Sequence, residues 1–283
     1  MHQRLAIIIV SYGNSAQTIR FVTQECPKIT FPHEVIVVDN GPDDASKELE
    51  NGLKHVVKLV CTGENVGFAR GNIAGVQTVM AAVDKPDYLL FVNNDIVFTD
   101  PSVVDKLVQV LEVHPEVGLI GPRVVGLDGG LQSPEPYLSF CQRHILPYWG
   151  TLLNNNRKKE LDPKEYARNA ISGWHYRIMG SFLLMRTEDY LLCGGFDPGT
   201  FLFSEESILS ERLAKVGKKV WYESSVSVLH EHAATTSKYF DYARIRRMKL
   251  ESDIYYYRNY RSVSSWEIAL ARFTLWLKER LGR

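Results

Sequence analysis

One stretch limits the fold of this chain more than any other. Tyr88 to Val92 are five consecutive apolar or aromatic residues, Asn93-Asn94-Asp95 follow at once, and Ile96-Val97-Phe98 is apolar again. An unbroken apolar run of strand length has no face to give to water, so it needs a mostly parallel sheet covered by helices on both sides. Two amides and a carboxylate then stand together at the carboxyl end of a central strand, where open α/β sheets bind ligands. A carboxylate held there can bind a hard divalent cation, and the cation can hold a diphosphate. Taken alone, Asn-Asn-Asp reads better as an exit into a turn, because both residue types favour turns. The company it keeps decides.

Further strand-like runs lie at 5–10, 35–38, 56–60, 117–122, 180–186 and 226–230, with helical spacing between several of them. Alternation of this kind implies βαβ units with right-handed crossovers. A helix is expected over about 73–83 and another over 102–114, where Val103, Val104, Leu107, Val110 and Leu111 recur at helical spacing. From Gly126 to Trp174 the pattern breaks repeatedly, at Gly129-Gly130, Pro134, Pro136, Pro147 and Asn154-Asn155-Asn156, and reads as irregular, substrate-facing chain. The turn after the first strand, Ser11-Tyr12-Gly13-Asn14, lacks the GxGxxG of a dinucleotide site and the basic, glycine-rich loop of a nucleotidyltransferase.

Composition narrows the partners. Lysines and arginines (33) balance aspartates and glutamates (33), which excludes a general attraction to nucleic acid. The four cysteines lie far apart, without metal-site spacing, as in a reduced, cytosolic protein. No apolar run approaches the roughly 20 residues needed to span a bilayer. A cytoplasmic location is expected, at most peripheral at the cytoplasmic face of the inner membrane.

The order of motifs is familiar. Ile8-Ile9-Val10-Ser11-Tyr12, Val37-Val38-Asp39-Asn40, Glu64-Asn65-Val66-Gly67-Phe68-Ala69-Arg70-Gly71-Asn72 and Asn93-Asn94-Asp95 come in turn. Gly194-Gly195-Phe196-Asp197, Ser204-Glu205-Glu206 with Arg212, and His230 complete the series. Over residues 5 to 240 the chain resembles the inverting nucleotide-sugar glycosyltransferases of family 2, which have the GT-A fold. Within them it is most similar to rhamnosyltransferase-like enzymes of bacterial polysaccharide synthesis. The resemblance implies an α/β fold of GT-A type over 1–240, a mostly parallel, helix-covered sheet, with a C-terminal helical extension over 241–283.

It also implies roles. Ser11, Tyr12 and Asp39 would line a pocket for base and ribose, and Asn65, Gly67, Arg70 and Asn72 would form the loop beside the nucleotide. Asn93-Asn94-Asp95 matches the position of the family's DxD motif, which makes Asp95 the first metal ligand and His230 a second contact to metal or diphosphate. Mg²⁺ or Mn²⁺ is the cofactor so implied, and the donor is a nucleotide-diphosphate sugar of the dTDP-rhamnose or UDP-sugar type. The acceptor is a glycan or a lipid-linked glycan. Glu205-Glu206 stands where the family carries its Glu-Asp pair, and Glu206 matches the base.

On the residues alone, Ser204 as a cap followed by two first-turn glutamates fits ordinary helix-start chemistry equally well. Two adjacent acids would repel and raise one pKa. The sequence departs from the family at Ile208, where another acid is usual. That departure leaves room for an altered acceptor site, or for a nucleotide-sugar-binding protein of impaired catalysis. Beyond Thr236, basic and aromatic residues precede Trp266, Leu270, Phe273, Leu277 and Leu281 at helical spacing. Such a helix packs on its own domain, on a second copy in a homodimer, or on an anionic membrane surface. Packing on its own domain is the better supported of the three.

Overall fold

The computed structural model describes residues 3–41, 43–152, 162–231 and 241–281. The Asn154-Asn155-Asn156 break and the boundary at 240 lie outside them. β1 (Leu5–Ser11) is buried along nearly its whole length because it is paired on both sides, with β2 (His33–Asp39) and with β4 (Tyr88–Val92), both parallel. β3 (Lys58–Cys61) extends the parallel half beyond β2. Successive side chains of β1 leave on opposite faces, as the pleat requires. Leu5, Ile7 and Ile9 enter one core, with Val37, Leu90 and Val92, while Ala6 and Ile8 enter the other, with Val38 and Phe91.

Helices close both faces. The first core is covered by α1 (Ser15–Arg20) and the turns after it, α2 (Asp43–Leu53) and α4 (Val103–Val113); the second by α3 (Phe68–Met80), α8 (Thr187–Leu192) and α9 (Glu205–Lys215). The other half of the sheet is not parallel. β8 (Phe182–Arg186) enters antiparallel between β4 and β6 (Val117–Gly126), and β9 (Lys219–His230) follows parallel to β6. Two short strands, β5 (Ile96–Val97) and β7 (Gly173–Trp174), pair antiparallel with β9. The sheet is therefore mixed, with order β3-β2-β1-β4-β8-β6-β9-β5.

The stretch read as irregular holds three short helices, α5 (Phe140–His144), α6 (Leu146–Leu152) and α7 (Pro163–Asn169). Ser139 and Gln142 form a reciprocal capping box at the start of α5. The extension is two helices, α10 (Tyr242–Tyr260) and α11 (Ser265–Leu281). It has its own apolar cluster, in which Leu250, Ile254, Tyr257 and Ile268 pack with Phe140 of α5 and Ile208 of α9. No helix among the described residues is long and apolar enough to cross a membrane.

Candidate active site

Sheet register builds one wall of the site. Ile96 pairs with His230 and Val97 with Leu229, so the strand that leaves Asp95 runs back along the end of β9. The Glu231 N–H donates to the Asp95 carbonyl oxygen (2.8 Å) and fixes the same register. Asp95 Oδ1 therefore faces His230 Nε2 at 3.0 Å, with both residues buried. On its other side the imidazole Nδ1 stands 2.7 Å from Gln132 Oε1, a contact in which Nδ1 is the donor. Asp95 Oδ1 itself is buried without a hydrogen bond among the described residues.

The second wall comes from the start of α9. Phe203 (φ 77°) and Ser204 (φ 70°) are both left-handed, an arrangement that costs non-glycine residues energy and needs external support. Ser204 supplies no cap. Its hydroxyl donates instead to Asp253 Oδ1 of α10 (2.6 Å), so the expected serine cap is not made, although Glu205 and Glu206 do stand in the first turn of α9. The corner sends the two glutamates different ways. Glu205 is 4% exposed, and burial first, then the Glu206 charge, raises its pKa well above the usual carboxylate range.

Glu206 turns the other way. Its Oε1 accepts the Gly180 N–H at 3.1 Å and its Oε2 lies 3.8 Å from Nη1 of the buried Arg177. The residue after Gly180, Ser181, accepts the Asn93 N–H on its carbonyl (3.0 Å). Glu206 and Asn93-Asn94-Asp95 thus meet across a two-residue bridge, although they are more than a hundred positions apart.

The third part is the end of β1 and β2. Asn94 Nδ2 donates to Thr18 Oγ1 (2.7 Å), and Thr18 shares a hydrogen bond with Ser11 Oγ (2.7 Å), so the hydroxyl of Ser11 is engaged within the wall. Half-buried Tyr12 follows it in the chain. Asp39, opposite Ser11 in the register, uses one oxygen to close an Asx turn on Gly41 N (2.8 Å); its Oδ2 is buried and unpaired among the described residues.

The segment expected as a nucleotide loop divides in two. Asn65 closes a turn on Gly67 N, but Arg70 and Asn72 lie inside α3, which starts at Phe68, five residues before the expected position. Asn72 donates to its own helix at Phe68 O, and Arg70 Nε donates to Pro198 O (3.0 Å). Gly67 (φ 85°) does admit a close approach, but to protein. A Cβ there would overlap the Phe201 carbonyl oxygen and stand 2.9 Å from its carbon.

The sequence profile of glycosyl transferase family 2 matches residues 6–189, about two thirds of the chain. The chain belongs to that family. This glycosyltransferase is 26% identical over 247 residues to N-acetylglucosaminyl-diphospho-decaprenol L-rhamnosyltransferase of Mycobacterium tuberculosis, covering 83% of this chain and 78% of the relative. It is 25% identical over 231 residues to rhamnosyltransferase WbbL of Escherichia coli, covering 79% and 82%. Among solved structures it resembles mannosyltransferase PcManGT of Pyrobaculum calidifontis, in complex with GDP-Man and Mn²⁺. There the TM-score is 0.57 at 14% identity, over 100% of this chain and 77% of that one. The fold is thus of GT-A type, and the enzyme is similar to rhamnosyltransferases of polysaccharide synthesis. The matched profile ends before Glu205, Glu206 and His230, so the arrangement around them rests on the coordinates.

Asp95 and His230 suit a metal: a buried carboxylate oxygen without a hydrogen bond among the described residues faces an imidazole nitrogen at 3.0 Å, and adjacent ligands on an octahedral ion at about 2.1 Å stand about 3 Å apart. The described residues hold no group of three or more metal-ligating side chains. Ile208, where the family usually carries an acid, is fully buried in the apolar cluster with Phe140, Leu250 and Tyr257, where the extension docks on α9.

Sequence reasoning missed Arg177, Gly180, Gln132 and Thr18, the groups that orient Glu206, His230 and Asn94. None belongs to a motif and none is near its partner in the chain. Gly180 opens an apolar run whose neighbour across space only the fold supplies.

Proposed function

We propose that this family 2 glycosyltransferase moves a sugar from a nucleotide-diphosphate donor to a hydroxyl of a glycan or lipid-linked acceptor, with inversion, Glu206 acting as the base. The observation that carries this reading is the convergence of Glu206 with Asn93-Asn94-Asp95 through Gly180 and Ser181. Inverting transfer is a single displacement at the anomeric carbon. It needs a carboxylate on the acceptor side and charge stabilisation where the diphosphate departs. Gly180 N–H and Arg177 hold the Glu206 carboxylate in one orientation. Its side chain is 18% exposed, enough to take a proton from an arriving hydroxyl.

Asp95 and His230 would hold Mg²⁺ or Mn²⁺, which when bound supplies positive charge to the leaving diphosphate. Gln132 keeps the proton of His230 on Nδ1 and so turns Nε2 towards that position. Asp39 Oδ2, buried and unpaired, is suited to a ribose hydroxyl or a base N–H. The names of the rhamnosyltransferase relatives favour a rhamnosyl donor, which agrees with dTDP-rhamnose, one of the two donor types that the family resemblance implies. The diphospho-decaprenol in the name of the mycobacterial relative favours a lipid-linked acceptor, handled at the cytoplasmic face of a membrane.

The test is Glu206→Gln, which keeps the shape and an acceptor for the Gly180 N–H but cannot take a proton. Transfer should fall by at least a thousandfold while donor binding, followed by calorimetry with Mn²⁺, stays within about twofold. Turnover equal to wild type would remove Glu206 from the role.

A further inference from the structure

A cavity of about 220 Å³ opens between α5, α10 and α11, away from the cleft just described. Arg143, His144, Arg246, Lys249 and Lys278 line it, together with the Thr274 hydroxyl, and no acidic side chain does. Two of these five side chains are already engaged. Arg143 Nε lies 3.1 Å, and His144 Nε2 2.8 Å, from the buried Asp253. The other three form no ion pair among the described residues. Arg246 lies over the Tyr242 ring (4.6 Å) with its Nε buried and unbonded, and Lys278 lies over the Tyr148 ring (5.4 Å).

These cations press on one another. Desolvation, then the Arg143 charge, lowers the pKa of Lys249; desolvation, then Arg246, lowers that of Lys278. Like charges collected around one void are unfavourable unless an anion enters it. A volume of this size holds about seven waters at about 30 Å³ each, room for a phosphate or a diphosphate. Planar guanidinium and mobile ammonium donors together suit tetrahedral oxyanions.

We propose that this cavity binds a phosphate or diphosphate group carried on a lipid. The lipid part follows from α11. Lys278 and Thr274 point into the cavity, while their neighbours Phe273 and Trp276 are 48% and 46% exposed and Arg280 covers the Trp276 ring at 4.8 Å. Exposed aromatics beside basic residues suit the boundary between headgroups and acyl chains.

The cavity is also tied to Glu206. Arg177 contacts Glu206 and ion-pairs with Glu135, Glu135 lies 4.0 Å from Arg143, and Arg143 lines the cavity. The relay marks the side of Glu206 on which the linking phosphate of an acceptor would reach the cavity. That identification of the lipid rests on the proposed transfer reaction; the anion site does not.

The test compares the full chain with Lys249→Ala/Lys278→Ala and with Lys249→Arg/Lys278→Arg. Each substitution relieves one repulsion, Lys249 with Arg143 and Lys278 with Arg246, so both variants are expected to fold. Inorganic pyrophosphate is titrated calorimetrically in EDTA, so that the metal site takes no part. The alanine pair should weaken binding at least tenfold and the arginine pair should restore it. Equal binding by wild type and the alanine pair, or none by wild type, overturns the site.

Two further arms identify the lipid. If the acceptor's diphosphate sits here, the alanine pair raises KM for a prenyl-diphosphate-linked glycan about tenfold, with kcat unchanged and no effect on a glycan lacking the diphosphate. If a phospholipid headgroup sits here, KM is unchanged and sedimentation with phosphatidylglycerol vesicles falls relative to phosphatidylcholine vesicles. Loss of neither overturns the lipid assignment. Pyrophosphate binding without any transfer activity would sink the enzymatic reading and leave the anion site standing.

Discussion

Replacing Gly180 by alanine adds one methyl group to the wall that holds Glu206. The backbone at 180 is outside the left-handed region, so alanine is tolerated there on conformational grounds. Space is the difficulty. A Cβ would overlap Glu206 Oε1 and stand 3.0 Å from its Cδ and 3.1 Å from its Cγ, where ordinary contact begins at 3.4 Å. The carboxylate is the end of a flexible side chain and gives way, losing its 3.1 Å bond from the Gly180 N–H.

A displacement on the order of 1 Å at a reacting group costs about a hundredfold in rate, which is about 2.7 kcal/mol of barrier. Stability should change by less than about 1 kcal/mol, because a partly exposed side chain moves and no core group is lost. Steady-state release of nucleotide diphosphate gives kcat, calorimetry gives donor affinity, and thermal unfolding controls for the fold. The expected pattern is kcat down about a hundredfold with donor affinity and melting temperature nearly unchanged. A variant that folds and turns over within threefold of wild type would show that transfer does not depend on where this carboxylate points.

Three other outcomes follow from the same geometry. Because the folded-state pKa of Glu205 is raised, the folded protein holds a proton that the unfolded chain loses above about pH 4.3, so stability falls as pH rises through that window. Glu205→Gln removes this loss. Its melting temperature should exceed that of wild type increasingly from pH 5 to 8, and parallel curves would contradict the burial argument. Ile208→Asp should cost about 3–5 kcal/mol in urea unfolding without raising transfer, since it buries an unpaired charge. An unchanged urea midpoint would show that the extension does not dock on α9. Asp95→Asn should abolish the extra thermal stabilisation that Mn²⁺ adds to a bound nucleotide diphosphate. Retention of that increment would place the metal elsewhere.

Much of the fold could be read from the chain because burial leaves a record in it. Tyr88–Val92 and Leu5–Val10 are apolar without interruption, and both lie between two strands and under two layers of helix. Strand direction leaves no such record. Phe182–Met185 is as apolar in an antiparallel pairing as in a parallel one, so the mixed second half of the sheet was not legible. Helices of five to seven residues show too little periodicity to be seen, which is why α5, α6 and α7 were hidden among prolines and glycines.

In the site, residues at or just past strand ends stood out in the chain: Asp39 and His230 close β2 and β9, and Asp95 lies in the turn between β4 and β5. Residues that hold others in place did not, since Arg177 and Gly180 gain meaning only once Glu206 is beside them. Ile208 was misleading for the opposite reason. Set against a family pattern it looked like a lost acid, but the physical demand at that position is for apolar surface against α10.

The hydrogen bond from Ser204 to Asp253 has a consequence for biosynthesis. A nascent chain that has emerged as far as His230 already carries every motif by which the family is recognised. It still lacks the anchor for the left-handed turn from which Glu206 projects, because Asp253 lies 49 residues further on than Ser204. The turn from which Glu206 projects is therefore complete only once α10 has folded against it.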